Sequence, residues 1–209
     1  MNVLALELSS GRGSIALLEA DREPVAFEFP NDRKHSGAFF ETLQRITEKH
    51  PVPPLIAVGI GPGSYAGVRI AISTAVGLAA AGDAQLVGIP SVVALSVEET
   101  KYDVIGDARR QTFFHVSVVC GRCVAEPTLF SATALQEKLA ASDAAVYCTE
   151  PLPLFPRVKI ATPSALLLAR LAVSGTFLPS AAALEPIYLR EPHITRPKSQ
   201  TTAFARADS

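Results

Sequence analysis

Apolar residues recur along this chain in short runs separated by turn formers, with spacings that switch between strand-like and helix-like. Met1–Leu8 carries the run VLALEL, which reads as a buried strand. A turn at Ser9–Gly13, a strand over Ser14–Glu19, a turn at Asp21–Glu23 and a strand over Val25–Phe29 complete a meander. Ser36 stands in cap position ahead of a helix over Gly37–His50, with Phe39, Leu43 and Ile46 on one face, until Pro51, Pro53 and Pro54 stop it. Leu55–Ile60 is a short apolar strand ending in Gly61-Pro62-Gly63-Ser64. A helix from Tyr65 to about Ala81, closed by Gly82, comes next. After it come a strand over Gln85–Ile89 and a helix capped by Ser91 and running to about Glu99.

The same order then begins again in shortened form. Tyr102–Asp107, Thr112–Val119 and Arg122–Phe130 read as three strands. Thr133 and Gln136 form a capping-box pair for a helix to about Ala141. Ala144–Cys148 is a strand, and Thr162-Pro163 opens a helix that ends at Gly175. The expectation is two α/β lobes with mixed sheets: residues 1–100 carrying the glycine turn, residues 101–190 as a shortened second lobe, and a tail over 191–209.

The helix after the glycine turn is the most informative segment. Ile70–Gly82 reads IAISTAVGLAAAG, without a charge over more than three turns, whereas a surface helix normally keeps one wet, charged face. Val68, Ile72, Ala75 and Ala79 form one stripe; Ala71, Thr74, Leu78 and Ala81 form a second. Two sides of this helix therefore have something to pack against: its own sheet on one, and on the other either the Gly37–His50 helix or another chain. The expected partner contacts are Phe39, Leu43, Ile46, Val68, Ile72, Ala75 and Ala79. At the turn, Gly61, Gly63 and Ser64 are candidate contacts for a phosphate or nucleotide, since the amino end of a helix presents unpaired N–H groups. Equally, glycines there could serve turn geometry alone, and no Lys-Ser/Thr follows to make a Walker loop.

Composition narrows the classes. With 48% apolar residues and a net charge of −1, and an isoelectric point near 6.4, the chain lacks the basic surface of a strong nucleic-acid binder. A basic cluster at Arg190, Arg196, Lys198 and Arg206 is diluted by Glu191 and Asp208. The start shows no secretory pattern, the charge-free stretch Ile70–Gly82 is too short to cross a bilayer, and three cysteines without a dense framework fit a reducing cytoplasm.

Four ordered landmarks then become specific. Gly61-Pro62-Gly63-Ser64-Tyr65-Ala66-Gly67-Val68-Arg69-Ile70 resembles the GPGSFTGVRIG signature of the TsaB family; VLALELSS resembles its first strand, Asp107-Ala108-Arg109-Arg110 its DARR segment, and Glu185-Pro186-Ile187-Tyr188-Leu189-Arg190 its terminal EPVYLR. The resemblance implies a two-lobed α/β fold of the actin, Hsp70 and sugar-kinase class (ribonuclease H-like), with mixed sheets flanked by helices. It further implies a non-catalytic scaffold for TsaD, the paralogue that transfers threonylcarbamoyl to N6 of adenosine 37 in tRNA. TsaE, an ATPase, is a further implied associate; a homodimer is implied when TsaD is absent, and tRNA is met only through the complex. No cofactor is required under this reading, with weak nucleotide binding left open at the turn. Where the family usually has Asp, this chain has Glu7, and its second lobe is brief.

Enzymatic alternatives are weaker. The resemblance implies that the catalytic relative holds its metal with an HxxxH pair on the helix after the third strand; the corresponding positions here hold His35 and Phe39, and His50, His115 and His193 lack a second ligand at such spacing. Cys120-Gly121-Arg122-Cys123 is a CxxC, but it sits between strand-like runs and reads as a hairpin turn, whereas redox pairs open helices. Asp107 is a candidate general base for an ATP-dependent phosphotransferase of the actin and sugar-kinase class; the competing reading is an internal pair with Arg109. A peptidase reading fails for want of metal ligands.

Overall fold

The computed structural model describes residues 1–31, 37–179 and 182–190. Its first sheet contains β1 (Val3–Glu7), β2 (Arg12–Leu18), β3 (Val25–Pro30), β4 (Leu55–Gly59) and β5 (Gln85–Ile89) in the order β3-β2-β1-β4-β5. The meander β1-β2-β3 is antiparallel, and β1, β4 and β5 run parallel. Helices α1 (Gly37–Thr47) and α2 (Tyr65–Gly82) pack on one face. The second sheet contains β6 (Lys101–Asp107), β7 (Thr112–Val119), β8 (Arg122–Cys123), β9 (Thr128–Ser131), β10 (Ala145–Cys148) and β11 (Lys159–Ile160). Without the β8 hairpin, its order is β9-β7-β6-β10-β11. This is the third-second-first-fourth-fifth pattern again. Helix α3 (Ala132–Ala140) covers its outer side, and α4 (Ala165–Val173) is the last helix among the described residues. The layout is the two-lobed actin-like α/β fold.

Alternation along the strands explains the layering. On β1, Leu4 and Leu6 face α1 and α2, while Val3 and Ala5 face the opposite side; β4 divides Ile56 and Val58 from Leu55 and Ala57 in the same way. With both faces covered, these strands are apolar almost throughout, as expected for buried parallel strands. The opposite side is a core common to both sheets, in which Val104, Phe114, Val116 and Val118 of the second sheet meet Val3, Ala5 and Val87 of the first. Helix α4 lies within it: Ala165, Leu168, Ala169 and Ala172 are buried, and the Ala165 amide donates to Ser14 Oγ at 2.9 Å. A helix from the second half of the sequence thus seals the first sheet.

That placement corrects one expectation. Residues Ser91–Ala94 form a single 3₁₀ turn, not a helix to Glu99, and Leu95 is extended and bridges to Pro163. The face such a helix would cover is held by α4. Other boundaries move less. Arg122–Phe130 splits into β8 and β9, and β11 emerges from a segment without periodicity. Helix α3 is capped by Ser131, whose Oγ accepts from the Ala134 amide, two residues before Thr133; Gln136 reaches across to the Leu154 carbonyl instead of back to a cap. The cap of α4 is Ser164, and Pro163 precedes it. The expected Ser36 cap and His35, and the basic tail residues Arg196, Lys198 and Arg206 with His193, lie outside the described residues.

Candidate functional site

The carboxyl ends of β1 and β4 meet the amino end of α2 at a cleft between the lobes, the region where open α/β sheets commonly receive ligands. A cavity of about 630 Å³ lies there, bordered by Ser9, Asn31, Gly61, Gly63 and Ser64 of the first lobe, by Gly106–Arg109 of the second, and by Pro186–Arg190 near the carboxyl end. Asn31 fixes its floor, donating through Nδ2 to the carbonyls of Leu8 at 2.9 Å and Ser10 at 2.8 Å.

The glycine turn is fitted to the chain's own backbone. Gly61 has φ +89°, which favours glycine. A Cβ on Gly63 would fall 2.2 Å from the Ser9 carbonyl oxygen, and one on Gly67 would fall 2.0 Å from that of Leu8. Those two glycines let the first turn of α2 rest directly on the end of β1. The Ser64 amide donates to Ser9 O at 2.6 Å, Ser64 Oγ caps the helix by accepting from Gly67 N, and Ser91 brackets Gly61 through both its amide and its hydroxyl. Gly61, Gly63 and Ser64 therefore share one site, and their geometry has a sufficient cause in packing.

Glu7 is withdrawn from the cavity. It is fully buried, Oε1 accepts from the Ser9 amide at 2.6 Å, and Oε2 presses against Gly59 and Ser91 without a hydrogen-bond partner. Burial pushes its carboxyl above the usual carboxylate range, and the polar groups of Ser9 and Ser91 beside it oppose this only in part. Asp107, the candidate base, gives both oxygens to Arg109: Oδ1 accepts from its amide at 2.6 Å and Oδ2 from its guanidinium at 3.0 Å. The turn behind it holds Arg109, Arg110 and Gln111 all at positive φ. The internal pair is the arrangement present.

The other candidates separate. His50 lies 3.2 Å from Glu19. His115 Nε2 lies 3.2 Å from Asp103 Oδ1 without hydrogen-bond alignment, while Ser117 donates to that oxygen at 2.6 Å. Burial holds the His115 imidazole below its ordinary value, against the pull of Asp103. Cys120 and Gly121 form the two-residue turn of the β7–β8 hairpin at φ +48° and +73°. The Cys123 thiol is pushed up by burial, opposite to what a reactive thiolate needs. Among the described residues no group of three or more His, Cys, Asp or Glu is placed to hold a metal ion.

The expected partner contacts land elsewhere than expected. Phe39, Leu43, Ile46, Val68, Ile72 and Ala75 are all buried in the first lobe's own core, and Ala79 is half-buried. The stripe open to solvent on α2 is Ala66, Arg69, Ser73, Val76, Gly77 and Ala80, and on α1 it includes Phe40; Val76 and Phe40 are each 47% exposed. The sequence showed that α2 was apolar all round, but that left hydrophobicity unable to say which side stayed open: Gly67, Val68, Ala71, Ile72 and Ala75 turn inward, while Arg69, Ser73, Val76, Gly77 and Ala80 face out. Among the described residues α2 alone is long and apolar enough to cross a membrane by length and composition, and a third of it is buried against its sheet.

Comparison with known proteins agrees with this architecture. A family model described as TsaD, tRNA N6-adenosine threonylcarbamoyltransferase, matches residues 31–148. No curated protein matches the chain. A solved structure from Pseudomonas aeruginosa, described as an uncharacterized protein with similarity to peptidase YeaZ, is 23% identical. It superposes with a TM-score of 0.71 over 90% of this chain and 99% of its own. A second structure, YeaZ from Pseudomonas aeruginosa, gives 23% identity, the same coverages and a TM-score of 0.66. These likenesses show the fold. The family model spans more than half of the residues and includes both the GPGS turn and the DARR hairpin. By that match the chain belongs to the TsaD family of tRNA N6-adenosine threonylcarbamoyltransferase, and its four ordered landmarks group it with the TsaB-like members.

Proposed function

We propose that this chain is a non-catalytic subunit supporting threonylcarbamoylation of adenosine 37 in tRNA, and that it binds the catalytic paralogue TsaD through the outer face of α2. One observation carries the reading. Helix α2 is 18 residues long, has Arg69 as its single charge, and buries only a third of its length in the lobe. Apolar helices are normally covered, and an uncovered one marks an interaction surface. The open stripe of small side chains, with Val76 at its centre, lets a partner helix approach closely. A second copy of this chain is the alternative occupant when TsaD is absent, and TsaE and tRNA are met through the complex in the cytoplasm. Phe39, buried against Phe29 at 6.2 Å, fills with a phenyl ring the position where a second metal ligand would stand, which favours the accessory role. The engagement of Asp107 by Arg109 weighs against phosphotransfer. Weak nucleotide contact at Gly61, Gly63 and Ser64 is compatible with this role but not required by it.

Co-purification with TsaD tests the proposal. Ala75 faces the core, so a charge there would unfold the lobe; Val76→Glu is the informative variant. Its melting temperature should match the parent's, whereas a charge desolvated at an interface costs about 3–5 kcal/mol and should abolish co-purification. Undiminished capture of TsaD by a folded Val76→Glu protein would remove this face as the docking surface.

A further inference from the structure

We propose that residues 184–190 form a strap that clamps the two lobes together across the cleft. The segment belongs to no helix or strand, yet every second or third residue is anchored. On the first lobe Leu184 packs beside Gly88, and the Ile187 amide donates to the Ile60 carbonyl at 2.9 Å. Tyr188 sets its ring 5.8 Å from that of Tyr65, the first residue of α2, which is itself braced by Arg69 at 2.8 Å from its hydroxyl. Leu189 packs on the core shared by both sheets. Arg190 then reaches the second lobe, donating through its guanidinium to Thr112 Oγ1 at the base of the Asp107–Thr112 hairpin, while its Nε is buried without a partner. The strap thus has one end on each lobe, and five of its residues wall the cavity.

The physical case for cooperation is that, among the described residues, the segment has a single main-chain bond to the body, at Ile187, so its order rests on the side-chain contacts of Leu184, Tyr188, Leu189 and Arg190 acting together. Ordering one residue costs about 1–2 kcal/mol of backbone entropy. If the Arg190 anchor is cut, residues 187–189 regain that freedom and the Ile187 bond should open more often. Such a clamp fixes the separation of the lobes, which suits a rigid support better than a cleft that opens and closes.

Amide hydrogen exchange on the full chain tests this. Arg190→Ala removes the anchor from the strap, and Thr112→Val removes its acceptor from the second lobe without touching the strap. Both should speed exchange at Ile187 by about tenfold or more, while β1 and β4 keep their protection. Unchanged exchange at Ile187 in the folded variants would overturn the clamp. So would a uniform rise along the whole chain, which would mark a general loss of stability. Should Arg190→Ala fail to fold, Thr112→Val decides alone.

Discussion

Replacing Glu7 by Gln should stabilise the protein at neutral and mildly alkaline pH. The carboxyl is wholly buried and has one accepted hydrogen bond, from Ser9 N, with Oε2 left unpaired. A buried polar group without a partner costs about 1–3 kcal/mol, and more when it carries charge. Glutamine preserves the shape and the Oε1 acceptor, removes the charge, and turns two N–H donors toward the place where Oε2 meets Ser91. The expected gain at pH 8 is about 1–3 kcal/mol, and each kcal/mol is about 2–4 °C in melting temperature for a chain of this length. The sign follows from linkage. Burial raises the folded pKa of Glu7 above its unfolded value of 4.5. Its protonated form is therefore the one the fold favours: the contribution is fully present below pH 4.5 and is lost as pH rises through the folded pKa.

Urea unfolding of parent and variant from pH 5 to pH 8 isolates this term, because every other titration is common to both. The difference in midpoint should be smallest at pH 5 and grow toward pH 8. A variant less stable than the parent at pH 8, or a difference flat in pH, would show that the buried oxygen is satisfied in a way these contacts do not record.

The two ends of α2 should respond oppositely to the same substitution. Gly67→Ala drives a methyl to within 2.0 Å of the Leu8 carbonyl and should destabilise by at least about 1–3 kcal/mol. Gly77→Ala, which meets nothing within 4 Å, should stabilise by about 0.5–1 kcal/mol; thermal melts of the pair that moved together would contradict the packing described. His115 should make the fold acid-sensitive: burial lowers its folded pKa below 6.5, so its contribution is present above pH 6.5 and is lost as pH falls through the folded value. Replacing it with Gln should flatten the decline of stability below pH 6.5, measured by urea midpoints. The thiols of Cys123 and Cys148, both pushed up by burial, should react slowly with Ellman's reagent in the folded chain and fast in denaturant. Equal rates in both would point to an activated thiol.

Much of the fold was legible because its strands are short apolar runs with clear punctuation. Gln85–Ile89 and Thr112–Val119 fall where the letters put them, and β1, β4 and β6 shift by a residue or two at one end or both. What escaped was anything settled at long range. Ser91–Glu99 has a plausible cap and helical formers, but α4, arriving from seventy residues later, takes the surface such a helix would need. The turn Gly61–Ser64 was visible as a turn, yet its fit to Ser9 and Leu8 depends on how closely β1 ends beside it. The strap over 184–190 has no periodicity at all, and its letters gave only a landmark. Glu7 read as part of an apolar strand; nothing local indicated that its second oxygen would lie unpaired.

The open face of α2 is the clearest case of a feature that folding alone leaves unexplained. The inward side has a complete account: Gly67 seats the helix on β1, and Val68, Ala71, Ile72 and Ala75 fill the lobe's core. None of this constrains the outward positions. Lys, Glu or Gln at residues 73, 76, 77 and 80 would be good helix formers and would wet the surface; the chain instead holds Ser, Val, Gly and Ala there. Glycine at 77 weakens the helix by about 1 kcal/mol relative to alanine and fills no tight space in exchange. Under the proposed function, a residue that is unfavourable for the isolated helix, open above its Cα, and flanked by small side chains one turn away on either side serves the close approach of a body from outside. A helix of another chain, laid along that stripe, is the body that such a groove would admit.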